Sequence, residues 1–149
     1  MPKKLFGTDG IRGRAGQPPL DDRTVFATGL ALARTIPRRQ RTKVLMGMDT
    51  RESGLGLAEL LAAGLDQGGV AVKFAGVMPT AGVAYLTEKD DFVRGVMISA
   101  SHNAFSDNGI KAFGPLGYKL PDEEEERVER AIFGALRQDC RPRPTRRHH

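Results

Sequence analysis

Three short apolar runs alternate with segments whose apolar residues recur at helical spacing, and this alternation limits the fold more than any other feature of the chain. Val44-Leu45-Met46-Gly47-Met48 reads as a strand buried on both faces, Val70, Val72 and Phe74 mark a second, and Phe92 to Ser99 a third. Between the first two, Leu57, Leu60, Leu61, Gly64 and Leu65 line one face of a helix that Ser53 can cap and Gly68-Gly69 ends. A shorter helix follows Gly76-Val77-Met78-Pro79-Thr80 and closes near Glu88. Links this short between strand and helix require right-handed crossovers, hence parallel strands with helices on their faces. Another helix precedes them, capped by Asp21 or Asp22, with Val25, Gly29, Leu32, Ala33 and Ile36 on one side and Pro37 as its stop.

The alternation breaks once, between Gly95 and Gly114. Val96-Met97-Ile98 runs into Ser99-Ala100-Ser101-His102-Asn103, and apolar character returns at Ile110 after the turn pair Asn108-Gly109. Too few residues intervene for a crossover helix. The fourth strand, Ile110 to Phe113, therefore makes the sheet mixed, and the expected fold is α/β, a three-layer sandwich with a mixed, mainly parallel four-stranded sheet. Gly114-Pro115-Leu116-Gly117 turns the chain into a last helix opened by Pro121. Val128, Ile132 and Leu136 form its stripe, and Asp122 with Glu123 to Glu126 reads as a solvated first turn favoured by the helix dipole. Phe6-Gly7-Thr8-Asp9-Gly10-Ile11-Arg12-Gly13 is so punctuated by glycine that it reads as a flexible loop rather than a core element. Residues 1–138 make one domain. Residues 139–149 offer nothing apolar to bury beyond Cys140 and are expected to be a disordered basic tail.

Charge and cysteine usage narrow the setting. The net charge of +5 over 149 residues comes mostly from Arg137 onward, so nucleic acid is not an expected partner of the folded body. A single cysteine excludes an internal disulfide and suits a reducing, cytoplasmic environment. Met1-Pro2-Lys3-Lys4 leads into glycines and charges, and no run is apolar enough to span a bilayer, so no membrane association is expected.

Ligands of a parallel sheet bind beyond the carboxyl ends of its strands, where Asp49 to Gly54, Met78 to Ala81 and Ser99 to Asn108 fall together. The last segment is the richest. Ser101 and His102 are neighbours whose side chains diverge, and the Gly-x-Ser-x-Gly elbow is missing, which disfavours a hydrolase triad. Phosphoryl transfer fits better: Ser101 can hold the group covalently, Lys111, Arg12 and Arg51 are cations within reach, and Asn103 can add a donor. Asp49 and Arg51 also read as an internal ion pair orienting their own turn. No Asp-rich motif is present to hold Mg²⁺.

Gly95 to Gly114, with Ser101-His102-Asn103 followed by Asn108-Gly109-Ile110-Lys111, resembles the phosphoserine loop of the α-D-phosphohexomutases. Phe6 to Gly13 and Gly47-Met48-Asp49-Thr50-Arg51 are similar to the bacterial phosphoglucosamine mutase branch of that family, with the likeness extending over Lys3 to Leu136. The resemblance implies interconversion of glucosamine 6-phosphate and glucosamine 1-phosphate, a step toward UDP-N-acetylglucosamine and the cell wall. Phosphorylated Ser101 would be the donor, Lys111 the general acid/base, and Arg12 and His102 electrostatic support. Arg12, Asn103 and Lys111 would bind substrate, and a phosphoserine oxygen on Ser101 would be one ligand of Mg²⁺. Ala104 stands where the family usually has proline. The family's metal, sugar and phosphate loops belong to further domains, so those domains are the implied partners. The chain alone is expected to fold without turning over substrate, and to leave an apolar face for self-association as a homodimer. Two other readings stay open: another phosphohexomutase specificity, such as phosphomannomutase or phosphoglucomutase, and a non-catalytic binding module of the same fold.

Overall fold

The computed structural model describes residues 4–37, 42–100 and 103–138. Along the chain run β1 (Phe6–Gly7), β2 (Gly10–Arg14), α1 (Asp22–Arg34), β3 (Lys43–Met48), α2 (Gly54–Gln67), β4 (Ala71–Val77), α3 (Thr80–Lys89), β5 (Arg94–Ile98), β6 (Asp107–Phe113) and α4 (Asp122–Arg137). All strands join one sheet in the order β1-β2-β6-β5-β3-β4. β3 pairs in parallel with β4 and β5, whereas β5–β6, β6–β2 and β2–β1 are antiparallel.

Period-two alternation sorts the side chains into layers. On one face Val44, Met46, Val96, Ile98, Ile110 and Ile11 join the apolar sides of α1, α2 and α4. On the other, Leu45 and Met97 meet Val83 of α3. The expected three-layer α/β arrangement is the one that forms. Each fully buried Leu or Ile contributes roughly 1.5–3 kcal/mol, and Leu30, Leu61, Leu65 and Ile132 are all of this kind. Helices α1 and α2 pack backbone to backbone, because a Cβ at Gly29 would lie 2.2 Å from the Leu61 carbonyl oxygen and one at Gly64 2.2 Å from that of Phe26. α3 lies over β3 and β5, with Phe113 of β6 packed against the same cluster, and Arg12 and Lys111 occupy that side of the sheet further along β2 and β6.

The sheet has six strands rather than four, because the glycine-rich opening forms a hairpin. Phe6 and Ile11 face each other across that hairpin, and both are buried in the main core. Glu129 of α4 holds its start, accepting from the Leu5 and Phe6 amides at 2.7 Å each and from the Lys4 amide at 3.0 Å. The glycines serve close approach instead of flexibility: at Gly10, with φ of +89°, a Cβ would sit 2.3 Å from the Ile110 carbonyl oxygen.

Further corrections concern polar residues. The fourth expected strand begins at Asp107, so Asn108-Gly109 lies within β6 and is not a turn. Asn108 is fully buried, its amide donating to Ser53 Oγ at 2.9 Å while its Oδ1 accepts from the Gly109 amide. Ser53 accordingly sits at the start of α2 without capping it, whereas Asp21 caps α1 through the Thr24 amide. The acidic start of α4 is not simply solvated. Glu125 is buried and pairs with Lys119 at 3.4 Å, and Glu124 lies 3.6 Å from Arg94. Arg94, itself buried at the head of β5, donates to the Leu32 carbonyl and to Thr35 Oγ1 at 2.8 Å each. Burial lowers its pKa, and Glu124 opposes that shift.

At the outer edge, β4 carries a bulge: Met46 faces Phe74 but Gly47 faces Gly76, which leaves Ala75 without a partner. Gly76 has φ of +76°. The expected basic tail, 139–149, lies outside the described residues.

Candidate active site

β3, β4 and β5 end on the same side of the sheet, and the segments that follow them supply the polar groups the sequence singles out. Asp49 follows β3. Its Oδ1 accepts from the Arg51 amide at 3.1 Å, and its Oδ2 accepts from Arg51 Nε at 3.2 Å and from Ser99 Oγ at 2.7 Å. The ion pair expected between Asp49 and Arg51 is therefore present. It also does more than orient its own turn. One terminal nitrogen of Arg51 donates to the carbonyls of Ala104 and Asp107, at 2.6 and 3.2 Å, and the other to that of Asn103 at 3.0 Å.

Ser101 and His102, assigned as nucleophile and electrostatic support, lie outside the described residues. Their flanks are defined. Ser99 continues the β5–β6 ladder through its amide, which donates to the Gly109 carbonyl at 3.0 Å, and the Asn103 amide donates to the Ala100 carbonyl at 3.1 Å. Asn103 is exposed, in keeping with a residue open to ligand.

Arg12 and Lys111 come together on one face of the sheet. Arg12 of β2 stands opposite Gly109 of β6, and Lys111 is two residues further along β6, so the two form a diagonal pair with Cα atoms roughly 7–8 Å apart by sheet geometry. Each cation lies over a glycine of the other strand. A Cβ at Gly109 would meet Arg12 Cγ at 3.1 Å, and one at Gly10 would meet Lys111 Cγ at 3.1 Å. A Cβ at Gly109 would also press to 2.7 Å on the Ser99 carbonyl oxygen, two residues before Ser101. Arg12 Nε is buried with no hydrogen-bond partner among the described residues. An orphaned guanidinium N–H of this kind is costly unless an acceptor arrives, and an anion is the natural one. Beside Lys111 a cavity of about 150 Å³ is lined also by Thr8, Asp9, Thr80 and Lys119.

Sequence reasoning missed the glycine seats and Lys119. Their signal was the pair of alternations Gly10-x-Arg12 and Gly109-x-Lys111, which places cation against glycine only once the two strands are known to be antiparallel neighbours.

The mixed α/β/α sandwich belongs to the class of phosphohexomutase first domains. The chain belongs to the phosphoglucomutase/phosphomannomutase family, its residues 3–138 matching the α/β/α domain I of that family. It is similar to the phosphoglucosamine mutase of Solibacter usitatus (strain Ellin6076), with 54% identity over 145 residues, covering 97% of this chain and 32% of that relative. A phosphoglucosamine mutase of Thermus thermophilus is 50% identical over 132 residues, 88% of this chain and 30% of the relative. The chain thus spans about a third of the curated relatives it matches. Among solved structures, a phosphomannomutase-like protein, also from Thermus thermophilus, superposes with a TM-score of 0.75 at 27% identity, over 85% of this chain and 29% of that one.

Proposed function

We propose that this chain is the phosphoryl-carrying domain of a phosphoglucosamine mutase. Phosphorylated Ser101 gives its phosphoryl group to the 1-hydroxyl of glucosamine 6-phosphate: the serine Oγ–P bond breaks, a sugar O–P bond forms, and the hydroxyl proton leaves to a base. The resulting bisphosphate turns over, and its 6-phosphoryl group returns to Ser101, releasing glucosamine 1-phosphate. Lys111 handles the proton, while Arg12 and His102 neutralise the charge that spreads over the equatorial phosphoryl oxygens. Asn103 joins Arg12 and Lys111 in holding the sugar phosphate. The observation that carries this reading is the buried Nε of Arg12, without a partner among the described residues and seated over Gly109 beside the strand that leads to Ser101. The 54% identity with a phosphoglucosamine mutase supports the hexosamine specificity.

The described residues do not fit a metal centre of their own. No group of three His, Cys, Asp or Glu side chains among them could hold an ion, and the Asp49 carboxylate is engaged by Ser99 and Arg51. Mg²⁺ would find at most the Ser101 phosphate here, and no step above runs through it. No described helix is long and apolar enough to cross a membrane, and a cytoplasmic setting is part of the proposal. So is the dependence of turnover on further domains.

Intact-mass measurement of the chain expressed in cells tests the nucleophile. A species heavier by one phosphate, absent from Ser101→Ala, is expected. A chain that stays unmodified even when joined to the further domains of a phosphoglucosamine mutase and exposed to glucosamine 1,6-bisphosphate and Mg²⁺ would overturn the proposal.

A further inference from the structure

We infer that Asp49 and Arg51 are positioning residues for the Ser101 loop, a latch that joins the end of β3 to both flanks of that loop. The inference deepens the proposed function and takes from it only that Ser101 is the phosphoryl acceptor.

An ion pair that oriented its own turn would need just the two contacts between Asp49 and Arg51. The pair instead reaches across fifty or more positions of sequence at four points. Upstream of Ser101, Ser99 Oγ donates to Asp49 Oδ2 at 2.7 Å. Downstream, the Arg51 guanidinium gathers the carbonyls of Asn103, Ala104 and Asp107. Asn103 is the residue directly after His102, so the anchored points bracket Ser101 and His102 closely.

Arginine suits this task because its donors form a rigid planar fork that can serve several acceptors at once. A lysine in its place would offer a point charge on a flexible stem. The Asp49 carboxylate fixes the fork through Nε, and only 8% of the Arg51 side chain is exposed, while the Asn103 and Ala104 carbonyls it holds lie at the surface. A nucleophile must be held to within about 0.5 Å of its productive position. Drawing the Asn103 and Ala104 carbonyls onto the guanidinium that also holds Asp107, the first residue of β6, is a direct way to fix loop backbone against the sheet.

Hydrogen exchange over residues 99–107 in Arg51→Ala, Arg51→Lys and Asp49→Asn chains reads the latch without using phosphate. Exchange in Arg51→Ala is expected to be about tenfold faster in that segment, with the amides of β3 and β5 unchanged. Arg51→Lys should fall between, and guanidinium ion at sub-denaturing concentration should restore part of the protection where sodium chloride at equal concentration does not. Phosphate on Ser101 after expression in cells should drop in parallel in Arg51→Ala. Unchanged loop exchange would overturn the inference, as would strand amides accelerating in step with the loop, or phosphate occupancy equal to that of the parent chain. A parent chain that carries no phosphate even when joined to the further domains would sink the proposed function, and the exchange comparison alone would then decide the latch.

Discussion

Arg51 and Arg94 use the same chemistry at opposite ends of the parallel strands and perform different work. Each is largely buried, each faces one carboxylate, and each donates to main-chain carbonyl oxygen. Arg94 stands at the head of β5 and holds the last turn of α1, whose final carbonyls have no intrahelical partner. A cation there also complements the negative end of the helix dipole. Arg51 stands beyond the tail of β3 and holds loop carbonyls that water could serve if the loop moved away. The value of a buried arginine thus depends on what its acceptors would do without it. Arg94 is the stronger of two donors to a buried helix carbonyl, the Thr35 hydroxyl being 3.4 Å away, and Arg51 chooses among conformations of a segment that would stay hydrated in any of them.

The contrast can be broken by measurement. Arg94→Ala strips a buried helix end of its strongest donor and should lower the unfolding free energy by roughly 3 kcal/mol, read from urea denaturation with unchanged slope; a loss no greater than that of Arg51→Ala would erase the distinction. Arg51→Ala should cost about 1 kcal/mol by the same assay, because its acceptors can rehydrate. Glu124→Gln should cost about 0.5 kcal/mol or less, since 41% of that side chain is exposed and its contact with Arg94 is long. A larger effect would mean that charge neutralisation, not hydrogen bonding to α1, keeps Arg94 in place.

Much of the architecture was legible because Val44 to Met48 and Val96 to Ile98 are apolar on both faces and the intervening helices keep a clear stripe. The hairpin of β1 and β2 was not, since glycine lowers local strand preference and the features that stabilise it, the Phe6–Ile11 pairing and the Glu129 carboxylate, are tertiary. Asn108-Gly109 carried a strong turn signal that was overridden by burial and a bond to Ser53. Glu124 and Glu125 looked like a solvated first turn because their partners are set by tertiary structure: Arg94 comes from a distant strand, and Lys119 from the turn that precedes α4. At the candidate site, Arg12 and Lys111 were readable as cations and the Asp49–Arg51 pair as a pair. That Arg51 reaches main-chain oxygen across the site could not be read, because carbonyls are present at every residue and leave no mark in the sequence.

The two borders of the sheet have a consequence for life at high concentration. A free strand border is a template on which another molecule can crystallise its own backbone, and proteins that leave one long and flat tend toward fibres. Here one border is β1, only two residues long. The other, β4, is broken by the unpaired Ala75 and the left-handed Gly76 and bears the exposed Lys73. Neither offers a straight seam for stacking, so assembly of these molecules through strand pairing is disfavoured relative to contact between side-chain surfaces.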